Sequence, residues 1–288
     1  MATRVLIIGT GLIGASVGLA LKVQKFEGSV AGWDADPREL ATALEVGAID
    51  EALEADELSD PDIADIFLLA TPVLPILDWM QRLAPSLDPK QLVTDVGSTK
   101  LQISQLAVEE FNQPHRARFL PGHPMAGKES GGAALADAAL FQGATWLFTP
   151  VDAQSSELEK QWRELVAGMG AVVRDLDAAQ HDEVCAWVSH LPQMVSTALA
   201  ALLEDTFSGD PEGMAAVQAI GGRALRETTR LGASPYSMWR DVALTNTEPI
   251  AATLLALEQR LQHMRENLRT LELREEFATA NRFRNKPK

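Results

Sequence analysis

The chain has 288 residues, of which 46% are hydrophobic and 23% are charged. These values are ordinary for a water-soluble globular protein, and the length suits two domains of ~100–200 residues each. The formal net charge of −15 argues against a nucleic acid or an anionic membrane as partner. Without an apolar run of ~18 residues or a secretory signal pattern, and with one cysteine, the sequence predicts a cytoplasmic protein.

Short apolar runs alternate with helical patterns in the first half of the chain. Val5–Ile8 is predicted to be a buried parallel strand, and a glycine turn and a helix over residues 12–22 follow it. Further strands are predicted at Ser29–Trp33, Ile63–Ala70, Gln91–Thr94, Arg118–Leu120, Thr145–Thr149 and Ala171–Arg174. Strands that alternate with helices predict an α/β fold with a doubly wound parallel sheet. The glycine-rich residues 121–143 are predicted to be a functional loop.

The pattern changes after about Asp177, because the remaining sequence is helical and contains no convincing strand. We therefore predict one domain over residues 1–177 and an all-helical domain over residues 178–288. An apolar residue recurs at alternating steps of four and three from Ile250 to Leu271, which is an a/d seam of about three heptads. The seam fits a helix packed within its own domain and a dimer contact equally well.

Gly9, Gly11 and Gly14 form a Gly-x-Gly-x-x-Gly pattern that also contains Leu12 and Ile13, between the first strand and the first helix. The three glycines allow, in order, the tight turn, the approach of a pyrophosphate to the backbone, and close packing of helix on strand. The free N–H groups and the dipole at the start of the helix attract phosphate. The pattern predicts a Rossmann-type dinucleotide site, with a glycine turn that binds no ligand as the alternative.

Asp34 ends the second predicted strand, at the offset of roughly 20 residues where an acid binds the adenosine ribose. A carboxylate there repels a 2′-phosphate, and the nearest following cation is Arg38, so NAD is favoured over NADP. The alternative is that Asp34 caps a helix or belongs to a loop. Thr71-Pro72 and Asp95, at the ends of two further strands, are assigned to the cofactor site as well.

Five segments stand in a characteristic order along the chain. They are Gly9–Gly14, Thr94–Lys100 (TDVGSTK), Gly122–Gly127 (GHPMAG), Ser189–Pro192 (SHLP) and Arg226–Arg230 (RETTR). In this order and composition the chain resembles the prephenate and arogenate dehydrogenases. The glycine motif is common to many dehydrogenases, whereas GHPMAG and SHLP together are much more specific. The resemblance implies a Rossmann domain followed by an all-helical dimerisation domain, and therefore a homodimer.

The resemblance also implies the reaction, which is NAD-dependent oxidative decarboxylation of prephenate to 4-hydroxyphenylpyruvate in tyrosine biosynthesis. Hydride leaves C4 of a cyclohexadienol, the C4 hydroxyl gives up its proton, and loss of CO2 makes the ring aromatic. Such chemistry needs a base at the hydroxyl and a cation at the ring carboxylate. The alternatives are arogenate as substrate, dual specificity, and, in a different class, a non-catalytic NAD-sensing dimer.

The resemblance places the catalytic histidine of the family at His123, and imidazole has a suitable pKa for a general base. The alternative is a loop histidine bonded to the backbone. By resemblance, Ser98 would orient His123 or the substrate hydroxyl, although it fits a helix N-cap equally well. Arg230 is assigned to the substrate carboxylate, because a guanidinium group can form two parallel bonds to a carboxylate. A solvent-exposed surface role is the alternative for Arg230.

Two positions depart from the family pattern. Gln193 follows SHLP where the prephenate enzymes commonly carry a second histidine, and Lys128 and Glu129 begin the run after GHPMAG where many have Thr-Glu-Lys-Ser-Gly. Together with His190, these residues are expected to line the substrate pocket. The departures leave the choice between prephenate and arogenate open.

The remaining candidate groups are given no catalytic role. His181 is expected to cap a helix or to face solvent near the domain junction. No residues have the spacing of metal ligands, and Cys185 has no evident base partner, so we predict neither a metal site nor thiol catalysis. The sequence ends without a regulatory ligand-binding extension, so feedback inhibition through one is not expected.

Overall fold

The computed structural model describes residues 3–286, except for the side chains of residues 59 and 61. Six strands form a parallel sheet in the order β3-β2-β1-β4-β5-β6. They are β1 (Arg4–Ile8), β2 (Ser29–Trp33), β3 (Glu51–Ala52), β4 (Ile66–Leu69), β5 (Leu92–Asp95) and β6 (Arg118–Leu120). This is the strand order of the Rossmann fold, whose topological switch point lies between the first and fourth strands. The predicted fold class is confirmed.

Helices cover both faces of this sheet. They are α1 (Leu12–Val23), α2 (Pro37–Glu45), α3 (Val73–Leu83), α4 (Leu101–Glu110) and α5 (Glu157–Gly168). Successive side chains of a strand point to opposite faces, so Val5 and Ile7 of β1 join one apolar cluster while Leu6 and Ile8 join the other. A continuous apolar run is therefore what a strand between two helical layers requires.

A second sheet of three strands corrects the prediction of one parallel sheet. It contains β7 (Gly122–Pro124), β8 (Thr145–Phe148) and β9 (Val172–Asp175), with β7 antiparallel to β8 and β8 parallel to β9. Two of these strands were predicted, but β7 lies inside the segment expected to be a loop. The glycine and the proline on either side of His123 are typical of a loop, and they hide this three-residue strand.

The second half of the described chain is helical, as predicted. It consists of α6 (Ala178–Cys185), a π-helical turn (Ala186–His190), α7 (Leu191–Phe207), α8 (Pro211–Ile220), α9 (Gly222–Thr229), a 3-10 turn (Arg230–Ala233), α10 (Tyr236–Thr245), α11 (Thr247–Glu266) and α12 (Leu271–Arg284). β9 ends and α6 begins close to the proposed boundary between residues 177 and 178, which stays a prediction. No helix in residues 3–286 has the length and apolar character needed to cross a membrane.

The predicted seam from Ile250 to Leu271 does not lie on one helix. α11 ends at Glu266, and Leu268 falls in the turn before α12. The Asn267 side chain donates to the backbone oxygen of His263 (3.0 Å), and the Thr270 hydroxyl accepts from Glu272 N (3.3 Å) to cap α12. Because these caps satisfy the backbone at both ends of the turn, the apolar repeat is divided between two helices.

Candidate active site

A cavity of about 320 Å³ opens between the Rossmann sheet and the helical half. Its walls come from the glycine turn, the carboxyl ends of β4 and β5, β7 with its following loop, and α10. The predicted site residues that line it are Leu12, Ile13, Thr71, Pro72, Ser98, His123, Lys128 and Glu129. Ligands of doubly wound folds bind at this edge, outside the carboxyl ends of the parallel strands.

The glycine turn fits the pyrophosphate of a dinucleotide. Gly9 has a φ of +97°, which other residues rarely adopt, and a Cβ on Gly14 would lie 2.0 Å from Gly9 O. By contrast, a Cβ on Gly11 would meet nothing within 4 Å, so the backbone there faces open space. α1 begins with neither a side-chain cap nor an acidic residue in its first turn. Its first N–H groups are therefore available to an anion.

Asp34 lies directly beyond β2, half-buried beside the glycine turn. Its Oδ2 accepts from Thr10 N (2.7 Å) and its Oδ1 accepts from Asp36 N (2.9 Å). Oδ2 also accepts from Thr10 Oγ1 (3.4 Å). These bonds fix the carboxylate at the edge of the turn, where Oδ1 keeps a lone pair for a ribose hydroxyl. Arg38 bonds both oxygens of Asp36, at 3.1 and 2.8 Å, and forms no hydrogen bond with Asp34 among the described residues.

Asp95 is not among the residues that line the cavity, and its assignment to the cofactor site stays a prediction. It is fully buried, forms an ion pair with Lys100, and accepts from Gly97 N (2.7 Å) and Gly122 N (3.0 Å). Burial raises the pKa of Asp95 and lowers that of Lys100, although their mutual attraction opposes both shifts. The pair joins the end of β5 to β7 and so fixes the backbone beside His123.

His123 and His181 form a buried hydrogen-bonded pair, with 8% and 0% of their surfaces exposed. Nδ1 of His123 lies 2.9 Å from Nε2 of His181, and Nδ1 of His181 lies 2.8 Å from Oδ1 of Asp182. The expectation that His181 caps a helix or faces solvent is wrong. This chain of contacts runs from α6 to β7, between residues that are 58 positions apart in the sequence.

The partners of Asp182 determine which nitrogens carry protons. Asp182 also accepts from the backbone N–H groups of Lys100 (2.7 Å) and Leu101 (2.9 Å) at the start of α4, where helix dipole and N–H groups favour a carboxylate. His181 must then donate through Nδ1, which leaves its Nε2 as an acceptor for the Nδ1–H of His123. A neutral His123 therefore carries a free lone pair on Nε2, the state a general base requires.

Burial also prepares His123 for this role. Desolvation lowers the pKa of His123 well below 6.5, and the neighbouring His181 and Lys100 add to the shift. The ring therefore stays neutral, and able to accept a proton, throughout the physiological range.

Ser98 is half-buried and lines the cavity, and within residues 3–286 its hydroxyl makes no hydrogen bond. The first N–H groups of α4 are bound by Asp182, so the alternative that Ser98 caps this helix is not seen.

His190 and Gln193 are buried and are not among the residues that line the cavity. Asn246 contacts Nδ1 of His190 (3.1 Å), and burial lowers the pKa of His190 to about 4. Gln193 donates to Leu231 O (2.7 Å) and therefore holds the 3-10 turn that begins at Arg230. The predicted carboxylate-binding residue is thus positioned by Gln193.

Arg230 forms an ion pair with Glu129, which joins the helical half to the loop after β7. Its side chain is 58% exposed, whereas that of Glu129 is 35% exposed. In the same loop, Lys128 donates to the backbone oxygen of Leu135 (2.7 Å). An arriving carboxylate would have to replace Glu129 in order to bind the guanidinium group.

Comparisons with known proteins agree with this architecture. Residues 17–175 match the family model "Prephenate dehydrogenase, nucleotide-binding domain", and residues 177–280 match "Prephenate dehydrogenase, dimerization domain". The curated prephenate dehydrogenase of Bacillus subtilis is 32% identical over 87% of this chain, which spans 66% of that relative's length.

Solved structures are similar over nearly the whole chain. The prephenate dehydrogenase from A. aeolicus in complex with hydroxyphenyl propionate and NAD+ is 28% identical, with a TM-score of 0.84 over 99% of this chain and 97% of that chain. Synechocystis arogenate dehydrogenase is also 28% identical, with a TM-score of 0.77 over 98% of this chain and 99% of that chain. Proteins named for two different substrates therefore share this fold.

Proposed function

The chain belongs to the prephenate dehydrogenase family, and from that premise we propose that it catalyses the NAD-dependent oxidative decarboxylation of prephenate to 4-hydroxyphenylpyruvate. The observation that carries the proposal is the position of His123, whose ring borders the cavity and whose Nδ1 lies 2.9 Å from Nε2 of His181, a contact that would leave Nε2 of His123 unprotonated. A base of this kind has no use in a protein that only senses a dinucleotide.

His123 accepts the proton of the C4 hydroxyl as the C4 hydride departs, and this leaves a ketone on the ring. Bound NAD supplies the acceptor for that hydride. Loss of CO2 then makes the ring aromatic, and the phenol oxygen takes the proton back from His123. Asp182 is already ionised and bonded to His181, so it stabilises the positive charge that His123 carries for this interval. Ser98 borders the same space and would hold the hydroxyl towards His123.

Arg230 binds a carboxylate of the substrate in place of Glu129. This assignment gives an acidic chain the local positive charge that a dianionic substrate requires. Lys128 is the second cation at this wall of the cavity. Gln193 acts by holding the turn that carries Arg230 and does not touch substrate.

NAD is the proposed cofactor because Asp34 would place a carboxylate against the 2′-phosphate of NADP. The cation nearest in sequence, Arg38, is bonded to Asp36 and does not compensate that charge. The Gly9–Gly14 turn would bind the pyrophosphate, and Thr71 and Pro72 border the inner part of the cavity. The relative from A. aeolicus that was solved in complex with NAD+ has the same fold.

We also propose a cytoplasmic homodimer. The carboxyl-terminal half matches a dimerisation domain, and α8, α9 and α12 bury no residue in the described single chain. A second copy that covers these helices would bury the apolar side chains that they now expose.

Arogenate is the second candidate substrate. Its side chain carries an ammonium group where prephenate has a keto group, and the carboxylate of Glu129 at the cavity wall could receive it. A substrate carboxylate on Arg230 would displace Glu129 and leave it free for that ammonium group, so Glu129→Gln should depress turnover of arogenate more than that of prephenate. Prephenate is kept as the first candidate because the Bacillus subtilis relative is named for that substrate.

The test is a spectrophotometric assay of NADH and NADPH formation with purified protein, with prephenate and arogenate side by side. We expect the highest kcat/KM with prephenate and NAD. A higher value with arogenate would reassign the substrate, and equal efficiency with NADP would refute the role of Asp34. Absence of turnover in all four combinations would favour the non-catalytic sensor.

A further inference from the structure

We propose that His123, His181 and Cys185 form a binding site for a divalent transition-metal ion such as Zn²⁺, and that metal bound there switches off the catalytic base. The binding part of this proposal is independent of the reaction. The inhibitory part rests on the proposed role of His123 as base. The expectation drawn from the sequence, that no residues have the spacing of metal ligands, overlooked His181 and Cys185.

Three potential ligand atoms converge at one buried point. Nδ1 of His123, Nε2 of His181 and Sγ of Cys185 all lie within 4.8 Å of one another. The His181 nitrogen is 2.9 Å from the His123 nitrogen and 3.6 Å from the sulfur. Zinc binds imidazole nitrogen at ~2.0–2.1 Å and thiolate sulfur at ~2.3 Å, so tetrahedral ligands lie roughly 3.3–3.7 Å apart. The contact between the two imidazole rings has to open by a few tenths of an ångström, and the His123 nitrogen and the Cys185 sulfur, which lie within 4.8 Å of each other, have to reach about 3.5 Å.

The local structure explains why these atoms meet. His181 and Cys185 are four residues apart on α6, so both project from one face of that helix. His123 reaches the same point from β7. Asp182 accepts from Nδ1 of His181 and thereby turns Nε2 towards the shared point. A carboxylate that orients a histidine through its other nitrogen is a regular companion of metal-binding histidines.

The ligand set and its surroundings select the kind of ion. Two imidazoles and one thiolate suit borderline-soft ions such as Zn²⁺ and Co²⁺, and they do not suit Mg²⁺ or Ca²⁺, which prefer oxygen. Three protein ligands leave a fourth position for water. The ion would enter from the cavity, because His123 lines it. Bound dinucleotide and substrate should therefore slow its entry.

Metal at this point would change the tautomer of His123. Coordination through Nδ1 requires a lone pair there, so the single proton of the neutral ring moves to Nε2. Cys185 binds as thiolate and releases its proton to solvent, while His181 already offers Nε2 unprotonated. Once Nε2 of His123 carries a proton, it can no longer accept one from a substrate hydroxyl. Inhibition thus follows without displacement of any residue in the cavity.

The first test is a Co²⁺ titration of the full-length protein after treatment with EDTA, followed in the near-ultraviolet. A thiolate bound to Co²⁺ gives a charge-transfer band, and Cys185 is the only cysteine in the sequence, so the band reports on this site alone. We expect one equivalent per chain, no band in Cys185→Ser or Cys185→Ala, and an unchanged band in the control His115→Asn. A folded wild-type protein that develops no thiolate band would overturn the proposal.

The second test is inhibition of turnover by buffered Zn²⁺, with each variant compared to its own metal-free rate. We expect inhibition of the wild type to weaken by about 10-fold or more in Cys185→Ser, because one of three ligands is lost. Equal inhibition of both proteins, or none in the wild type, would refute the inhibitory part. If the protein turns over neither substrate, the Co²⁺ band still decides whether the site exists.

Discussion

The two halves of the molecule are stabilised in different ways. The first half buries two apolar clusters, one on each face of the six-stranded sheet. In the helical half, by contrast, the buried hydrophobic residues are only Cys185, Ala186, Val242 and Ile250 among those described. Most of its other buried side chains are polar, and large apolar ones such as Ile220 (84%) and Phe283 (72%) are exposed. The first half has its own apolar core, whereas the second half exposes large apolar side chains that a partner would cover.

Buried polar contacts attach the helical half to the Rossmann half. Thr99 and Thr245 share a hydrogen bond of 2.7 Å between their hydroxyls, and Asp241 accepts from Leu74 N (3.1 Å). Asp182 accepts hydrogen bonds from two backbone N–H groups of the first half and from Nδ1 of His181. Polar contacts of this kind fix geometry more strictly than apolar ones. The junction therefore positions His123, the proposed base, as well as joining the halves.

The largest expected effect tests whether the two halves share one active site. His123→Asn should lower kcat by roughly 10²–10⁴-fold and change KM little, because a positioned base acts in the transition state. Steady-state kinetics with the preferred substrate would measure it, with the exposed His115→Asn as the matched control. Full turnover in His123→Asn would place the base elsewhere and would remove the reason for the polar junction.

The second prediction compares a residue of the apolar core in the first half with an exposed apolar residue of the helical half that the proposed dimer would cover. Phe67→Ala, at a fully buried position, should cost about 3–5 kcal/mol in free energy of unfolding at any protein concentration. Leu261 is 55% exposed, so Leu261→Glu should mainly shift the mass seen by light scattering from dimer towards monomer. The free energy of unfolding of both variants is measured by urea unfolding at two protein concentrations. A monomeric wild type at micromolar concentration would contradict this contrast between the halves.

The third prediction concerns acid stability of the polar interior. Burial lowers the pKa of His190 to about 4, against ~6.5 in an unfolded chain. The folded state disfavours protonation, so this contribution is present above pH 6.5 and is lost as the pH falls towards 4. The loss amounts to about 3 kcal/mol. The free energy of unfolding should therefore fall less steeply over this range in His190→Gln than in the wild type. Parallel slopes would show that His190 does not titrate on unfolding.

The smallest effect is expected at the exposed ion pair between the halves. Arg230→Gln should raise KM about 5–30-fold with little change in kcat, because it binds a carboxylate already charged in the ground state. The rise in KM should lie near the lower end of this range, because solvent screens the charge of a side chain that is 58% exposed. Arg226→Gln, on the exposed face of α9, is the control. An equal rise in KM in both variants would remove Arg230 from the substrate site.

Local features of the sequence predicted much of the first half. The glycine turn and the apolar run of β1 are patterns within a few residues, and the structure has them where expected. β4 was also predicted, but it begins at Ile66 and not at Ile63, which ends a 3-10 turn. β7 was missed because its glycine and proline are typical of a loop, whereas the equally short β6 contains Phe119 and Leu120. The division of the helical repeat at Asn267 depends on caps that the apolar spacing does not reveal.

The pairing of His123 with His181 could not be found from either segment alone, since it depends on how α6 packs against β7. One signal was present, because His181 and Cys185 have the four-residue spacing of neighbours on a helix. For the same reason the sequence could not show that Asp95 is bound by Lys100, or that Gln193 holds the turn of Arg230. Burial and partner choice are properties of the packed chain.

The most direct test of the account is the protonation of His123 itself. Histidine-selective ¹⁵N NMR distinguishes protonated from unprotonated ring nitrogens, and the chain contains only five histidines, so His123→Asn assigns the signals. At neutral pH, the contacts from Asp182 through His181 predict that Nδ1 of His123 carries the proton and that Nε2 is unprotonated. A proton on Nε2, or a doubly protonated ring, would contradict the assignment of His123 as the base.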